Sequence, residues 1–477
     1  MPRQAAPLRH LAATQHDLAR SACECSVTNP LGGLSVVAPS SDAAAPHGGD
    51  SLPRQRYTRR EDSAGKARRL VDPRLDLRAL LDAAEAAPPA AGVDALAAEL
   101  AGRVGASEVS FLIADISGQA LIRLARTSER GRAAVPRPAL ERVLLRGTAA
   151  GRALQHQRVE LVAGEEGVRV YAPVTERGET LGVLELLLPE APADDIVDYL
   201  ASAAHALAYV VIADRRHSDM YELGQRSTDL SLEAEIQRRL LPPSYTCQGP
   251  QFALAGWLVA ADEAGGDTFD YVVGERFLAL SITDAMGHGV AAAQLATLAV
   301  GSLRNSRRAG AGLAQQAQQA SAALGEHAAP DQFVTALLAR VDLASGAMQL
   351  VNAGHTNPLL VRDGVVRELR LKADLVLGVL PDDPYRLQHV RLRPGDRVAF
   401  MTDGMSEREA AAAEVEQLLG TLSHLHPREA AQALTNAVLH VTGGAVRDDA
   451  TVLILDWYGD RGAPVLNTGT RTSRRSR

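Results

Sequence analysis

The chain is 477 residues long, beyond one ordinary domain, and two or three domains are expected. Hydrophobic residues make up 46% and charged ones 22%, a globular composition, while 50 Lys and Arg against 57 Asp and Glu leave a formal charge of −7. That mildly acidic balance argues against nucleic acid or a membrane surface as partner. Three cysteines, Cys23, Cys25 and Cys247, are too few to staple several domains, so a reducing, cytoplasmic setting is expected. No stretch reads as the roughly 18–20 apolar residues of a membrane helix. Stretches 200–213 and 290–303 carry polar positions and read as buried helices of soluble domains. No apolar run follows the basic N-terminus, so a secretory signal is not expected.

Residues 1–75 are rich in Ala, Ser, Pro and Arg and nearly free of aliphatic residues over 40–66, so a disordered arm is expected. Stretch 459–477, with Arg471, Arg474, Arg475 and Arg477, reads as a disordered tail. Between them, residues 76–213 carry an α+β pattern. Helical spacing predicts helices over 77–86 and 93–104, then strands over 109–114 and 120–124. Helical runs follow at 139–145 and 149–156, strands at 159–162, 168–174 and 181–188, and a long closing helix at 193–213. The order, with the Glu108–Asp115 segment, its Ser117-Gly118 turn and the run from Tyr171 to Leu186, resembles a GAF sensor domain. The resemblance implies an α/β sensor fold and an unknown effector, a small ligand or a protein. No cysteine lies between Cys25 and Cys247, which excludes a thioether-linked chromophore. His156 and His205 read as packed or exposed side chains rather than haem ligands.

Residues 214–243 read as a helical linker. Leu232, Ile236 and Leu240 fall at i, i+4 and i+8, and Pro242-Pro243 stops the helix. Such a helix either lies on the next domain or couples the two domains, with a homodimer as one route.

From Gln251 onward strands are expected at 252–259, 269–273 and 277–283, helices at 290–307 and 313–324, and strands at 333–341, 347–352, 358–362 and 365–371. Strands at 390–392 and 397–401, helices at 410–419 and 427–440, and a strand at 451–457 complete the domain. Two sheets packed face to face with helices outside satisfy that order. Four aspartates stand where apolar strands meet turns: Asp267 in Gly265-Gly-Asp-Thr-Phe-Asp270, Asp284 in Ser281-Ile-Thr-Asp-Ala-Met-Gly-His-Gly289, Asp403 in Thr402-Asp-Gly, and Asp448 in Arg447-Asp-Asp-Ala-Thr. Any one of them is an ordinary turn residue. Several together at strand ends suggest a shared cation, and oxygen ligands without a His or Cys cluster suit Mg²⁺ or Mn²⁺ rather than zinc.

These motifs, with the Ile236-Gln-Arg-Arg-Leu-Leu-Pro242 lead-in, Asn352-Ala-Gly-His355 and Leu377-Gly378, resemble the PPM-type metal-dependent serine/threonine phosphatases, in their bacterial SpoIIE-like branch. The resemblance covers residues 244–458 and implies an α-β-β-α sandwich holding two ions. It implies that Asp284 bridges the ions, the Ala285 carbonyl ligates one, Asp403 and Asp448 hold one, and Asp267 serves the other directly or through water. The expected substrate is a phosphorylated regulatory protein, by resemblance an anti-sigma-factor antagonist. Thr268 and Phe269 stand where the branch usually has an aromatic pair. Asp270 and Asp449 rank below the four, His288 and His355 read as structural rather than as acids for the leaving serine, and no arginine is assignable as a phosphate clamp. The competing reading is a catalytically silent scaffold that senses and docks partners, though a scaffold has no physical reason to keep mutually repelling carboxylates. A nucleotidyl cyclase would need purine- and phosphate-binding groups that the sequence does not display.

Overall fold

Asp76 accepts the backbone N–H of Arg78 and so caps α1 (Leu77–Ala86), the first element of the computed structural model. The structure describes residues 76–128, 141–225, 230–261, 265–380, 383–405, 414–443 and 446–462. The expected N-terminal arm lies outside those residues. So does most of the expected tail, whose first residues, Gly459–Arg461, instead form a 3₁₀ turn, with the N–H groups of Tyr458 and Gly459 on the Gln251 carbonyl.

After α1 come α2 (Gly92–Val104), β1 (Glu108–Ala114), β2 (Ala120–Ser128), β3 (Arg142–Leu144), α3 (Ala149–His156), β4 (Glu160–Gly164), β5 (Gly167–Glu176), β6 (Glu179–Leu188) and α4 (Asp194–Asp214). The strands form one antiparallel sheet in the order β3-β2-β1-β6-β5-β4. Successive strand residues point to opposite faces. Phe111 and Leu184 therefore join Leu80, Leu96, Leu200 and Leu207 of the helices in one core, while Leu112 and Val183 meet Leu154 of α3 on the other face.

Two expectations change here. Residues 142–144 of the expected 139–145 helix form β3, which pairs with β2; residues 129–140 lie outside the described chain. A short apolar run cannot choose helix from strand by period, and the free edge of β2 decides it. Second, α4 is long and apolar enough to cross a membrane by length and composition alone. Its Tyr199, Leu200, Ala203, Ala204, Leu207, Ala208 and Val211 are instead packed in the domain core.

Next come α5 (Met220–Gln225) and α6 (Leu232–Leu240), the latter capped by Ser231 through the N–H of Ala234. The expected apolar stripe does not carry α6. Leu232 is 64% exposed, Ile236 and Leu240 are half-buried, and the deeply buried residue is Gln237 at 1%. A polar group that deep must be hydrogen-bonded, and its partners lie in the site below.

The remaining elements are β7 (Thr246–Gln248), β8 (Phe252–Val259), β9 (Asp267–Val273), β10 (Phe277–Ala285), α7 (Gly289–Arg308), α8 (Leu313–His327), β11 (Val334–Asp342), β12 (Ala347–Ala353), β13 (Leu359–Arg362), β14 (Val365–Glu368), β15 (Gln388–Arg391), β16 (Arg397–Met401), α9 (Val415–Thr421), α10 (Pro427–Val441) and β17 (Ala450–Trp457). They build sheets of order β15-β12-β11-β10-β9 and β14-β13-β16-β17-β8-β7. Phe252, Phe269, Leu280, Leu337, Phe400 and Leu453 fill the space between the sheets. Separate apolar clusters hold α7 and α8 on the first sheet and α9 and α10 on the second, giving four layers in the expected order. Residues 410–413 of the expected 410–419 helix lie outside the described chain.

Candidate active site

Alternation along β9 separates two aspartates three residues apart. Asp267 and Phe269 face the second sheet, whereas Asp270 faces α7 and pairs with Arg304 at 2.9 Å and Arg307 at 3.0 Å. Asp270 therefore anchors a helix, and Asp267 belongs to the open end of the sandwich. There Asp267 is 2% exposed, and its Oδ2 accepts hydroxyls from Thr402 at 2.7 Å and Thr451 at 2.6 Å. Those threonines sit just past β16 and at the start of β17, so the second sheet reaches across to hold this carboxylate. Thr268, on the outward face, shares a 2.6 Å hydroxyl contact with Thr283.

Asp284 stands directly opposite Asp267 in the β9–β10 register, so both carboxylates lie on one face. The next residue, Ala285, donates its N–H to the Gly266 carbonyl. A Cβ on Gly266 would sit 2.4 Å from the Ala285 carbonyl oxygen, so only glycine allows this approach. Neither Gly265 nor Gly266 has positive φ. The pair therefore serves close packing rather than conformational freedom. On the other sheet, Asp403 opens a 3₁₀ turn after β16, and a Cβ on Gly404 would meet the Asp449 carbonyl at 2.1 Å. That contact presses the Asp403 turn against the Asp448-Asp449 segment. Asp284 and Asp403 are half-buried, and Asp448 is exposed with its Oδ1 accepting the Asp449 N–H at 2.9 Å.

The electrostatics single out this end. Burial raises the Asp267 carboxyl well above the usual carboxylate range, and the charges of Asp284 and Asp449 push it further the same way, against the two threonine hydroxyls. A divalent cation would supply the missing compensation. The donor set, carboxylates with one backbone carbonyl, fits a hard oxygen-seeking ion. Among the described residues, no three Asp, Glu, His or Cys side chains converge tightly enough to enclose an ion by themselves.

Asp449 is the strut beneath the site. It is 3% exposed, and its oxygens accept the N–H groups of Ala261 at 2.9 Å, Gly265 at 3.2 Å and Asp267 at 3.4 Å. The buried amide of Gln237 donates both to Asp449 Oδ2 and to the Asp267 carbonyl, the latter at 2.9 Å. Helix α6 is therefore pinned to the backbone that presents Asp267. Sequence reasoning did not single out Gln237, Thr402 or Thr451. All three lie inside motifs it had marked, and Gln237 betrays itself as a polar residue beside the supposed stripe.

His288 is the exposed N-cap of α7 and makes no capping bond with its side chain. His355 is a turn fixer: its N–H donates to Asn352 Oδ1 at 2.8 Å, its carbonyl accepts from Asn352 Nδ2 at 3.0 Å, and its Nδ1 meets Thr335 Oγ1 at 2.7 Å. Burial lowers its pKa to about 4, so it is neutral near pH 7 and has no proton ready to give.

Residues 274–458 match the sequence family described as Stage II sporulation protein E (SpoIIE). The matched stretch contains Asp284, Asp403 and Asp448, while Asp267 lies just ahead of it. The phosphoserine phosphatase RsbU of Bacillus subtilis (strain 168) is 21% identical over 281 residues, 57% of this chain and 83% of RsbU. The C-terminal sandwich is a PPM-type serine/threonine phosphatase domain. Among solved structures, the RsbU and RsbW domains of Rv1364c from Mycobacterium tuberculosis are 26% identical to this phosphatase chain, with a TM-score of 0.40, covering 45% of it and 62% of their own length. The catalytic domain of the phosphatase PstP, in complex with two manganese ions, is 19% identical with a TM-score of 0.35, covering 44% of this chain and 99% of its own.

Proposed function

We propose that the chain is a metal-dependent phosphatase that removes phosphate from serine or threonine of a regulatory protein, under control of its N-terminal domain. The observation that carries this reading is the buried Asp267, held by two threonine hydroxyls of the facing sheet and set opposite Asp284. Asp284 would bridge two Mn²⁺ or Mg²⁺ ions, with the Ala285 carbonyl, Asp403, Asp448 and Asp267 completing their protein ligands. Bound there, such ions would supply Lewis-acid activation of water and compensation for phosphoryl charge. The residues themselves do the positioning: Thr402 and Thr451 fix the orientation of Asp267, and Gly266 lets the Ala285 carbonyl reach the open end.

Phosphoserine as the substrate group is supported by the likeness to RsbU, named a phosphoserine phosphatase. An anti-sigma-factor antagonist as its carrier and a GAF-type role for residues 76–213 follow from the resemblances of the sequence, and a cytoplasmic setting from its low cysteine count. Control through α6 is supported by Gln237, which ties the helix to the Asp449–Asp267 strut, and by Arg239, which ties it to Glu222 of α5. The test is hydrolysis of a generic aryl phosphate by the full chain, with and without Mn²⁺ and with chelator. Turnover that ignores the metal, or none with any divalent ion, defeats the enzymatic reading.

A further inference from the structure

A cleft of ≈ 1880 Å³ lies where the N-terminal domain, α6 and the phosphatase domain meet. Buried charge gathers there in an unequal ratio. At the start of β6, the Glu179 carboxylate accepts the Thr246 N–H at 2.7 Å and the Ser244 hydroxyl at 3.2 Å. Arg428, 5% exposed, donates to the Gly178 carbonyl at 2.6 Å and pairs with Glu429 at 3.3 Å. Arg239 is paired with Glu222 at 2.6 Å. Two further guanidinium groups of the cleft are Arg215, just past the end of α4, and Arg238 in α6, whose Nη2 donates to the Gln225 side-chain oxygen at 3.2 Å; Glu179 lies close enough to Arg215 to act on its charge.

Their donors are the unusual feature. Nε and Nη2 of Arg215 and Nη1 of Arg238 are shut off from solvent and have no hydrogen-bond partner. Both side chains line the same cleft. Burial lowers the Arg215 pKa, with the Arg238 charge acting the same way and Glu179 opposing both. Buried guanidinium donors are normally satisfied, and an unsatisfied pair needs an explanation. The donors are closed to water as they stand, so an occupant of the cleft reaches them only as the two long side chains turn toward it, and water would then meet the N–H groups but not their charge. A planar oxyanion meets both, because the guanidinium fork matches carboxylate and phosphate oxygens two at a time.

We propose that this junction is a binding site for a small oxyanion, a carboxylate or phosphate group, held between Arg215 and Arg238. A group bound there joins the end of α4 to α6, one residue from the Gln237 that braces Asp449. The binding claim is independent of whether the phosphatase domain turns over substrate.

The test is equilibrium dialysis of the full chain in EDTA, with radiolabelled inorganic phosphate in one arm and radiolabelled succinate in the other. Chelation leaves the carboxylate end without divalent ions, so it repels both anions. Saturable binding at one site per chain is expected in at least one arm, and the stronger arm identifies the group. Arg215→Gln and Arg238→Gln should each weaken it about tenfold or more, while Asp284→Asn leaves it unchanged. Should the Gln variants melt early by circular dichroism, Arg215→Lys keeps the charge but not the fork, and it should weaken binding too. No saturable binding of either anion at millimolar concentration, or binding indifferent to the arginine substitutions, overturns the proposal.

Discussion

The core of the N-terminal sheet and the open end of the phosphatase domain treat buried carboxylates in opposite ways. In the N-terminal sheet, Glu185 is 7% exposed and met by Arg123 at 2.5 Å and Arg169 at 3.5 Å, and Asp115 accepts the N–H groups of Gln119 and Ala120. Each charge is answered locally. At the open end of the phosphatase domain, Asp267 faces Asp284 and lies near Asp449, and like charges raise its pKa instead of lowering it. Paired charge of the first kind holds a fold together. Crowded like charge of the second kind costs stability and persists where function needs it.

The largest expected effect breaks the second pattern at its centre. Asp284→Asn removes the proposed bridge and should lower turnover roughly a thousandfold, about 4 kcal/mol of transition-state stabilisation. Asp270→Asn, three residues from Asp267 but on the other face, should leave turnover within a few-fold. It should instead destabilise the domain by about 3 kcal/mol, because Arg304 and Arg307 lose their partner. Steady-state kinetics and urea unfolding of both variants check the split, and equal kinetic losses would refute it.

A pair of substitutions with opposite signs sharpens the comparison. In chelator, Asp267→Asn should raise stability by about 1–2 kcal/mol by removing the repulsion, while abolishing activity. Glu185→Gln should lower stability by about 3 kcal/mol and leave the intrinsic metal dependence of hydrolysis intact. Thermal melts that moved in the same direction would show that the two carboxylates are not different in kind.

Next in size is the brace. Gln237→Ala strips a buried donor from Asp449 and from the Asp267 carbonyl and should cost roughly tenfold in turnover. Leu232→Ala, at a position 64% exposed, should cost nothing measurable. An equal loss in the two variants, measured on the same aryl phosphate, would make α6 a passive tether.

The smallest effect is a pH slope. Burial, then the charges of Arg428 and Arg397, lower the pKa of His426 to about 3. Its folded pKa lies below the unfolded value of about 6.5, so the unfolded chain binds more protons beneath that pH. The contribution is therefore present above about pH 6.5 and is lost as pH falls towards 3, with a slope that approaches about 1.4 kcal/mol per unit. His426→Asn keeps an acceptor for the Arg428 N–H at the start of α10 and should flatten that part of the stability profile. An unchanged slope would assign the acid sensitivity elsewhere.

Much of the fold was legible because period and turn chemistry act locally. Strand β16 and helices α1 and α3 fall where the sequence pattern places them, and the four-layer order follows from the alternation of strands and helices. The candidate aspartates were legible as strand-end carboxylates, and β9–β10 register explains why Asp267 and Asp284 meet. What was illegible depends on partners distant in sequence. Gln237 meets Asp449 across 212 positions, and Thr451 meets Asp267 across 184, separations that no local window contains. The edge strand β3 was misread for the same reason, since its conformation is settled by β2 rather than by its own period.

The central claim is that the carboxylate end exists to hold divalent ions, and calorimetric titration of the full chain with Mn²⁺ tests it most directly. The account predicts saturable binding by the wild-type chain, lost or strongly weakened in Asp284→Asn and preserved in Asp270→Asn. Binding of the same strength and stoichiometry in all three would contradict it.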